Sequence, residues 1–321
     1  MQQLLDKVSD IFAQESFIHE PRELYEPIEY TLRLGGKRIR PVMLLAACQL
    51  FGGDTGTARH AAIGIETFHN FTLLHDDLMD KSPLRRGQPT VYRKWDENTA
   101  ILSGDTMYAM AWRYFLAQPH PRLREILTAF NETAIQVCEG QQYDMNFERR
   151  SDVTIDEYIS MIRLKTAVLL AGALQIGALY ADAPADGIRN IYQFGIHLGL
   201  AFQLQDDLLD AYGDTAVFGK QTGQDIRDNK KTYLILQALR LADSARRDEL
   251  AALFASAPAD SGPKVERVLQ IYSQLGIRQH VEKAIQDEFN LARQHLDSIR
   301  ADDSRKLPLR QLMETLLSRK K

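Results

Sequence analysis

The chain has 321 residues, 45% hydrophobic and 26% charged, which is enough apolar chain for a large folded core. Its 39 lysines and arginines stand against 43 aspartates and glutamates, a formal net charge of −4, so nothing draws nucleic acid to it generally and any anion must be held by a local cluster. The two cysteines, Cys48 and Cys138, are far apart and lack metal-binding spacing, which excludes a disulfide framework and suits a reducing compartment.

The first residues place Asp6 and Asp10 inside amphipathic turns and show no apolar run of the signal-peptide kind, so a cytoplasmic location is expected. Helical periodicity follows throughout without a convincing alternating strand, and the expected class is all-α. The spacing predicts helices over 2–16, 22–34, 41–51, 55–80, 96–117, 122–146, 155–181 and 185–212. After a polar stretch at 213–231, shorter helices are expected over 233–242, 246–255, 262–275, 277–299 and 307–318. The breaks fall at Gly35-Gly36, Gly52-Gly53, 82–89 and Pro119 to Pro121. No linker or low-complexity tract divides the chain, so a single domain over 1–321 is expected. The longest apolar stretch, 167–181, is interrupted by Gln175 and is shorter than the roughly 20 residues that span a bilayer, so no transmembrane segment is expected.

The first cluster of chemical interest is Gly35-Gly36-Lys37-Arg38-Ile39-Arg40-Pro41. Two glycines permit a tight turn, Pro41 suits the start of a helix, and three cations gather at that helix's N-terminus, as a diphosphate clamp requires. Further on, two stretches share nearly one spelling: Leu74-His75-Asp76-Asp77-Leu78-Met79-Asp80 and Leu204-Gln205-Asp206-Asp207-Leu208-Leu209-Asp210. Each lies at the C-terminal end of a predicted helix, where the backbone already carries partial negative charge. The first and last acids of each are four apart and share a face, so they repel unless a cation lies between them. One such motif alone reads as a solvated charged face. Two copies, both in apolar flanks, point to buried acids that bind a hard divalent ion such as Mg2+.

His69 lies seven residues before Asp76, on roughly the same face, and by itself reads as a core histidine. Arg85 and Arg86 follow Asp80 closely, and guanidinium beside carboxylate and metal suits a phosphate-bearing substrate. Lys165 and Thr166 interrupt an otherwise apolar helix, and Gln203 precedes the second acidic motif by three residues. The loop 217–232, with Lys220 and Lys230, is rich in glycine and lysine, as a phosphate-covering lid would be.

Together, and in this order from about Gly35 to Thr232, these pieces resemble the trans-isoprenyl diphosphate synthase family, the head-to-tail prenyltransferases that include farnesyl and geranylgeranyl diphosphate synthases. The resemblance implies an isoprenoid-synthase-type helical bundle around a deep central cavity. It implies that Asp76, Asp77, Asp80, Asp206, Asp207 and Asp210 bind three Mg2+ ions that hold an allylic diphosphate. It also maps an isopentenyl diphosphate pocket onto Lys37, Arg40, His69 and Arg86, and allylic diphosphate contacts onto Arg85 with the catalytic set Lys165, Thr166, Gln203, Lys220 and Lys230. A homodimer is implied in the same way.

Product length is then set by the residues that precede Asp76 on its helix. Phe71 lies roughly 7.5 Å deeper and Phe68 roughly 12 Å deeper, at about 1.5 Å per residue. In the family a bulky residue five before the motif limits products to short chains. Thr72 is not aromatic, the first motif carries no two-residue insertion, and the local string resembles geranylgeranyl diphosphate synthases, while Phe68 could stop growth at fifteen carbons. Two other readings are a terpene cyclase and a non-catalytic subunit of a heteromeric prenyl synthase. The second Asp-Asp-x-x-Asp and the separate clamp weigh against the first, and the intact set of charged residues weighs against the second.

Overall fold

Apolar residues three or four apart give most helices one dry face, and the observed helices follow that spacing closely. The computed structural model describes residues 1–213, 222–256, 258 and 260–317. Lys220 and the basic tail 319–321 lie outside the described residues. Among the described residues every element is helical except one pair of two-residue strands, as the all-α expectation required. Cys48 is buried and Cys138 exposed, and both are free thiols. The chain divides into two compact units, Met1–Asn131 with Gly172–Ile191 and Arg300–Leu309, and Glu132–Ala171 with Tyr192–Ile299 and Arg310–Lys321.

The first unit begins with α1 (Gln2–Gln14), α2 (Arg22–Arg33), α3 (Ile39–Leu50) and α4 (Arg59–Met79). Helix α1 buries Leu4, Val8, Ile11 and Phe12, a single stripe. Helix α4 is different: it buries every residue from Ala61 to Phe68, then only Asn70, Leu74 and Asp77. Its first half is therefore core, and its second half is one-sided and able to carry chemistry. It packs on α3 and on α6 (Glu97–Leu116), whose N-terminus Asp96 caps by accepting the Thr99 amide at 2.8 Å. Helix α4 starts at Arg59 and not near residue 55, because Asp54 accepts the Gly56 amide at 2.8 Å and holds a local turn. Between α4 and α6 lie the strands β1 (Leu84–Arg85) and β2 (Gln88–Pro89) and the one-turn α5 (Val91–Lys94).

Helix α7 (Leu123–Glu148) contributes its later part to the second unit, followed by α8 (Ile155–Ile162), which starts on a reciprocal capping box between Thr154 and Glu157. The predicted helix 155–181 is not continuous α-helix: a π turn at Arg163–Ala167 separates α8 from α9 (Val168–Tyr180). The joined run Ile155–Tyr180 has 26 residues and is, by length and composition, long enough to cross a membrane, unlike the shorter stretch measured in the sequence. Since 61% of its most apolar part is buried in the protein, it reads as a core helix. Then come α10 (Ala185–Tyr212), a short α11 (Gln224–Arg227) inside what the sequence suggested was loop, α12 (Tyr233–Leu241), α13 (Ser244–Ala255), α14 (Gly262–Gln274), α15 (Ile277–Asp297) and α16 (Asp303–Leu317). Helix α15 buries Ile277, Val281, Ile285, Phe289, Ala292 and Leu296, again at spacings of three and four.

Candidate functional site

The cationic cluster of the first unit is built on a strained loop. Gly35 and Gly36 have φ of 80° and 129°, and Arg38 follows at 44°, immediately before α3. The Arg38 guanidinium lies 3.9 Å from the centre of the Phe12 ring and donates to the Leu32 carbonyl at 3.3 Å. Arg40, the second residue of α3, donates through Nη1 to His69 Nε2 at 2.9 Å. Burial, then the charges of Arg40, Arg86 and Arg85, push His69 well below the usual imidazole range, so the neutral ring accepts that bond. Arg86 lies against Gly36, where a Cβ would stand 2.6 Å from the guanidinium carbon, and the φ of 129° is what favours glycine at this point. Arg40, His69 and Arg86 thus come together, with Lys37 exposed on the same loop.

The first acidic motif closes α4, with Asp80 at the cap position. Its three acids are not equivalent. Asp77 is buried and receives Arg85 as a fork, Nη2 to Oδ1 at 2.6 Å and Nε to Oδ2 at 2.8 Å, while Asp76 is half-buried and Asp80 exposed. Burial raises Asp77 above the ordinary carboxylate range, against the opposing pull of Arg85. Arg85 is aimed by the hairpin, in which Leu84 pairs with Pro89 and Arg85 with Gln88. The two turn residues, Arg86 and Gly87, have φ of 54° and 75°, the geometry of a tight two-residue hairpin turn. That turn sends the adjacent Arg85 and Arg86 to different partners, Asp77 and the Gly36 loop.

The second acidic motif, in the second unit, repeats the pattern with different donors. Asp207 is buried while Asp206 and Asp210 are half-buried. The Tyr158 hydroxyl donates to Asp207 Oδ2, and Gln203 Nε2 donates to Oδ1 at 3.1 Å. Gln203 in turn accepts from Thr166 Oγ1 at 3.0 Å. Thr166 and Lys165 both lie in the π turn, a local widening common where a helix serves a functional site. Gly140 on α7 faces that turn, where a Cβ would stand 2.7 Å from the Leu164 carbonyl carbon. Lys165 Nζ donates to Asp144 Oδ2 at 2.6 Å. The Asp225 amide donates to Asp210 Oδ2 at 3.0 Å, and the Lys230 ammonium lies 3.9 Å from Asp225 Oδ1.

The electrostatics of this cluster suit a divalent cation. Burial first, then the charge of Asp225, push Asp207 up to about 7, and burial with the charge of Asp210 pushes Asp225 up to about 6. Among the described residues no three His, Cys, Asp or Glu side chains converge closely enough to cage a metal alone. An ion of the Mg2+ type takes one or two carboxylates and completes its shell with water and phosphate oxygens, so the donor set fits it.

Of the residues expected to set product length, Phe68 is fully buried, and its ring centre lies 5.5 Å from that of Phe71 and 5.3 Å from that of Phe130. Phe71 is half-buried and touches His75 and Tyr108, with ring centres at 4.8 and 5.5 Å. Thr72 turns its hydroxyl back onto the His69 carbonyl at 2.8 Å.

Sequence reasoning missed Tyr158, Asp144, Asp225 and Glu66, each a direct or electrostatic partner of an expected site residue. Tyr158, Asp144 and Glu66 occupy ordinary helical positions without a local motif. Asp225 lies in the glycine- and lysine-rich stretch already singled out, and a carboxylate there was the available signal.

The sequence pattern of the Polyprenyl synthetase family matches residues 21–273. The chain is 35% identical over 321 residues to the geranylfarnesyl diphosphate synthase of Natronomonas pharaonis, covering 94% of this chain and 91% of that one. It is 36% identical over 311 residues to the geranylgeranyl diphosphate synthase of Saccharolobus solfataricus, covering 93% and 88%. A crystal structure of a geranylgeranyl pyrophosphate synthase superposes with a TM-score of 0.92 at 41% identity, covering 100% of this chain and 98% of that one. On these matches, and with the charged clusters in the order and spacing described, the chain belongs to the polyprenyl synthetase family.

Proposed function

We propose that the chain is a short-chain trans-prenyltransferase. It joins isopentenyl diphosphate head-to-tail to dimethylallyl, geranyl and farnesyl diphosphates and stops at geranylgeranyl diphosphate. The observation that carries this reading is the presence of two kinds of ion site in one chain: a cationic clamp around Arg40, His69 and Arg86, and acid-rich clusters flanked by Arg85, Lys165 and Lys230. A condensation of two diphosphates needs both. The several relatives named as geranylgeranyl diphosphate synthases support the twenty-carbon product.

Mg2+, three ions by family resemblance, would be held by Asp76, Asp77 and Asp80 and by Asp206, Asp207 and Asp210, and when bound it neutralises diphosphate oxygens as a Lewis acid. Arg85, Lys165, Lys220 and Lys230 supply positive charge where negative charge accumulates as the allylic carbon–oxygen bond breaks. Thr166 and Gln203 would contact the same diphosphate by family resemblance, and the chain from Thr166 through Gln203, with Tyr158, keeps Asp207 fixed in place. Lys37, Arg40, His69 and Arg86 hold isopentenyl diphosphate so that its double bond attacks the allylic cation, and the departed diphosphate takes the final proton. No serine, cysteine or histidine nucleophile is required. The enzyme is proposed to act in the cytoplasm as a homodimer.

A second reading, farnesyl diphosphate as the end product, is favoured by the Phe68 and Phe71 rings standing 5.5 Å apart on one helix. Diphosphate release tests the reaction class. It is expected only when isopentenyl and an allylic diphosphate are both present with Mg2+, and to stop when the metal is chelated. Release from an allylic diphosphate alone would make the chain a cyclase and overturn the proposal.

A further inference from the structure

The clamp contains an acid that the proposed reaction does not use. Glu66 lies on α4, three residues before His69, and is only 3% exposed. Its one hydrogen-bonding side chain is Asn70, which donates through Nδ2 to Oε1 at 3.2 Å and to the Glu66 carbonyl at 2.8 Å. Among the described residues, Oε2 is buried with no hydrogen-bond partner, and so is the Nε of Arg40. Two orphaned groups of opposite charge therefore sit in one buried cluster, where each is costly unless the other compensates it.

Glu66 faces the guanidiniums as their main opposing charge, and burial raises its carboxyl above the ordinary carboxylate range against the pull of Arg40 and Arg38. It is the foremost attractive charge on Arg38, on Arg40 and on Arg86, while Arg86 repels both of the others. Arg38 has Phe12 and the Leu32 carbonyl to hold it, and Arg86 is exposed. Arg40 has neither: among the described residues its one hydrogen bond is to a neutral imidazole, which brings no charge. A carboxylate at the back of an anion site is unfavourable for the anion itself, since the two repel. Its presence is accounted for if the empty clamp would otherwise spread apart by repulsion among three cations, two of them half-buried.

We propose that Glu66 is a positioning residue for the isopentenyl diphosphate clamp: it holds Arg40 in place beside His69 before substrate arrives. The inference rests on the proposed reading of this cluster as the isopentenyl diphosphate site. A preformed clamp lowers the ordering cost of binding, so the loss of Glu66 falls on the affinity for that substrate alone. The allylic substrate uses other residues.

The test is steady-state kinetics on the full chain with both substrates varied. Glu66→Gln keeps the size and removes the charge, and is expected to raise KM for isopentenyl diphosphate about tenfold, the equivalent of one lost charge-assisted contact. KM for the allylic diphosphate and kcat at saturation are expected to move by less than about twofold. Glu66→Asp keeps the charge at a shorter reach and is expected to raise the isopentenyl diphosphate KM by about threefold. A purely structural role would lower kcat, or raise both KM values together. An unchanged or lowered isopentenyl diphosphate KM in Glu66→Gln would overturn the inference, since Glu66 would then only repel the anion. Should Glu66→Gln not fold, Glu66→Asp decides by the same split. Arg40→Ala separates the two levels of the argument. If it leaves the isopentenyl diphosphate KM unchanged, the reading of the cluster fails; if it raises that KM while neither Glu66 variant does, only the role of Glu66 fails.

Discussion

A buried carboxylate needs a donor or a cation, and the middle acid of each motif meets that need from the protein itself. Asp77 takes the Arg85 fork, and Asp207 takes Tyr158 and Gln203. The neighbours Asp76 and Asp206 are less buried, which fits them for ions shared with substrate. Asp76→Ala and Asp206→Ala are therefore expected to lower kcat by on the order of a thousandfold or more, the effect of removing several kcal/mol of charge stabilisation from the transition state. Because neither side chain is fully buried, the midpoint of urea unfolding should stay close to that of the wild type. Near-normal turnover in either variant would sink the assignment of these acids as metal ligands.

At the scale of elements, one element in each unit carries expected site residues. Helix α4 is core in its first half and chemical in its second, so one rigid rod links Phe68 and Phe71 to Asp76. Replacing Phe71 with Ala removes the half-buried ring nearest the motif, and the longest product is expected to gain at least one five-carbon unit, as chromatography of the dephosphorylated alcohols would show. A product distribution identical to the wild type would mean that Phe71 does not line the growing chain. The other element is the π turn Arg163–Ala167, which carries Lys165 and Thr166. Gly140 on α7 leaves room for its backbone. Gly140→Ala forces a methyl into that space and is expected to cost about 1–3 kcal/mol of stability by denaturant titration, as overpacking generally does. The same change should raise KM for the allylic substrate by displacing Lys165 from its place beside Asp144. A variant with wild-type stability and wild-type allylic KM would show that the turn tolerates displacement.

For the whole molecule, most of the helical order and the acidic motifs were legible in the sequence, because helix spacing and the four-residue interval between acids are local signals. The π turn was not, since its residues Arg163, Leu164, Lys165, Thr166 and Ala167 continue the same helical pattern. Nor was the division of labour between Arg85 and Arg86, which depends on positive φ at Arg86 and Gly87 and not on residue type alone. Tyr158, Asp144 and Glu66 were missed because a tertiary partner leaves no mark on the spacing of a helix. What survives from sequence to structure is the set of charged residues, and what the structure adds is which of them are held by one another. The central claim, a head-to-tail condensation of two diphosphates, is tested most directly by incubating the protein with labelled isopentenyl diphosphate, Mg2+ and, in turn, dimethylallyl, geranyl and farnesyl diphosphates, and measuring product length. The account predicts that all three acceptors are extended and that label accumulates in a twenty-carbon diphosphate; label remaining in isopentenyl diphosphate with every acceptor would contradict it.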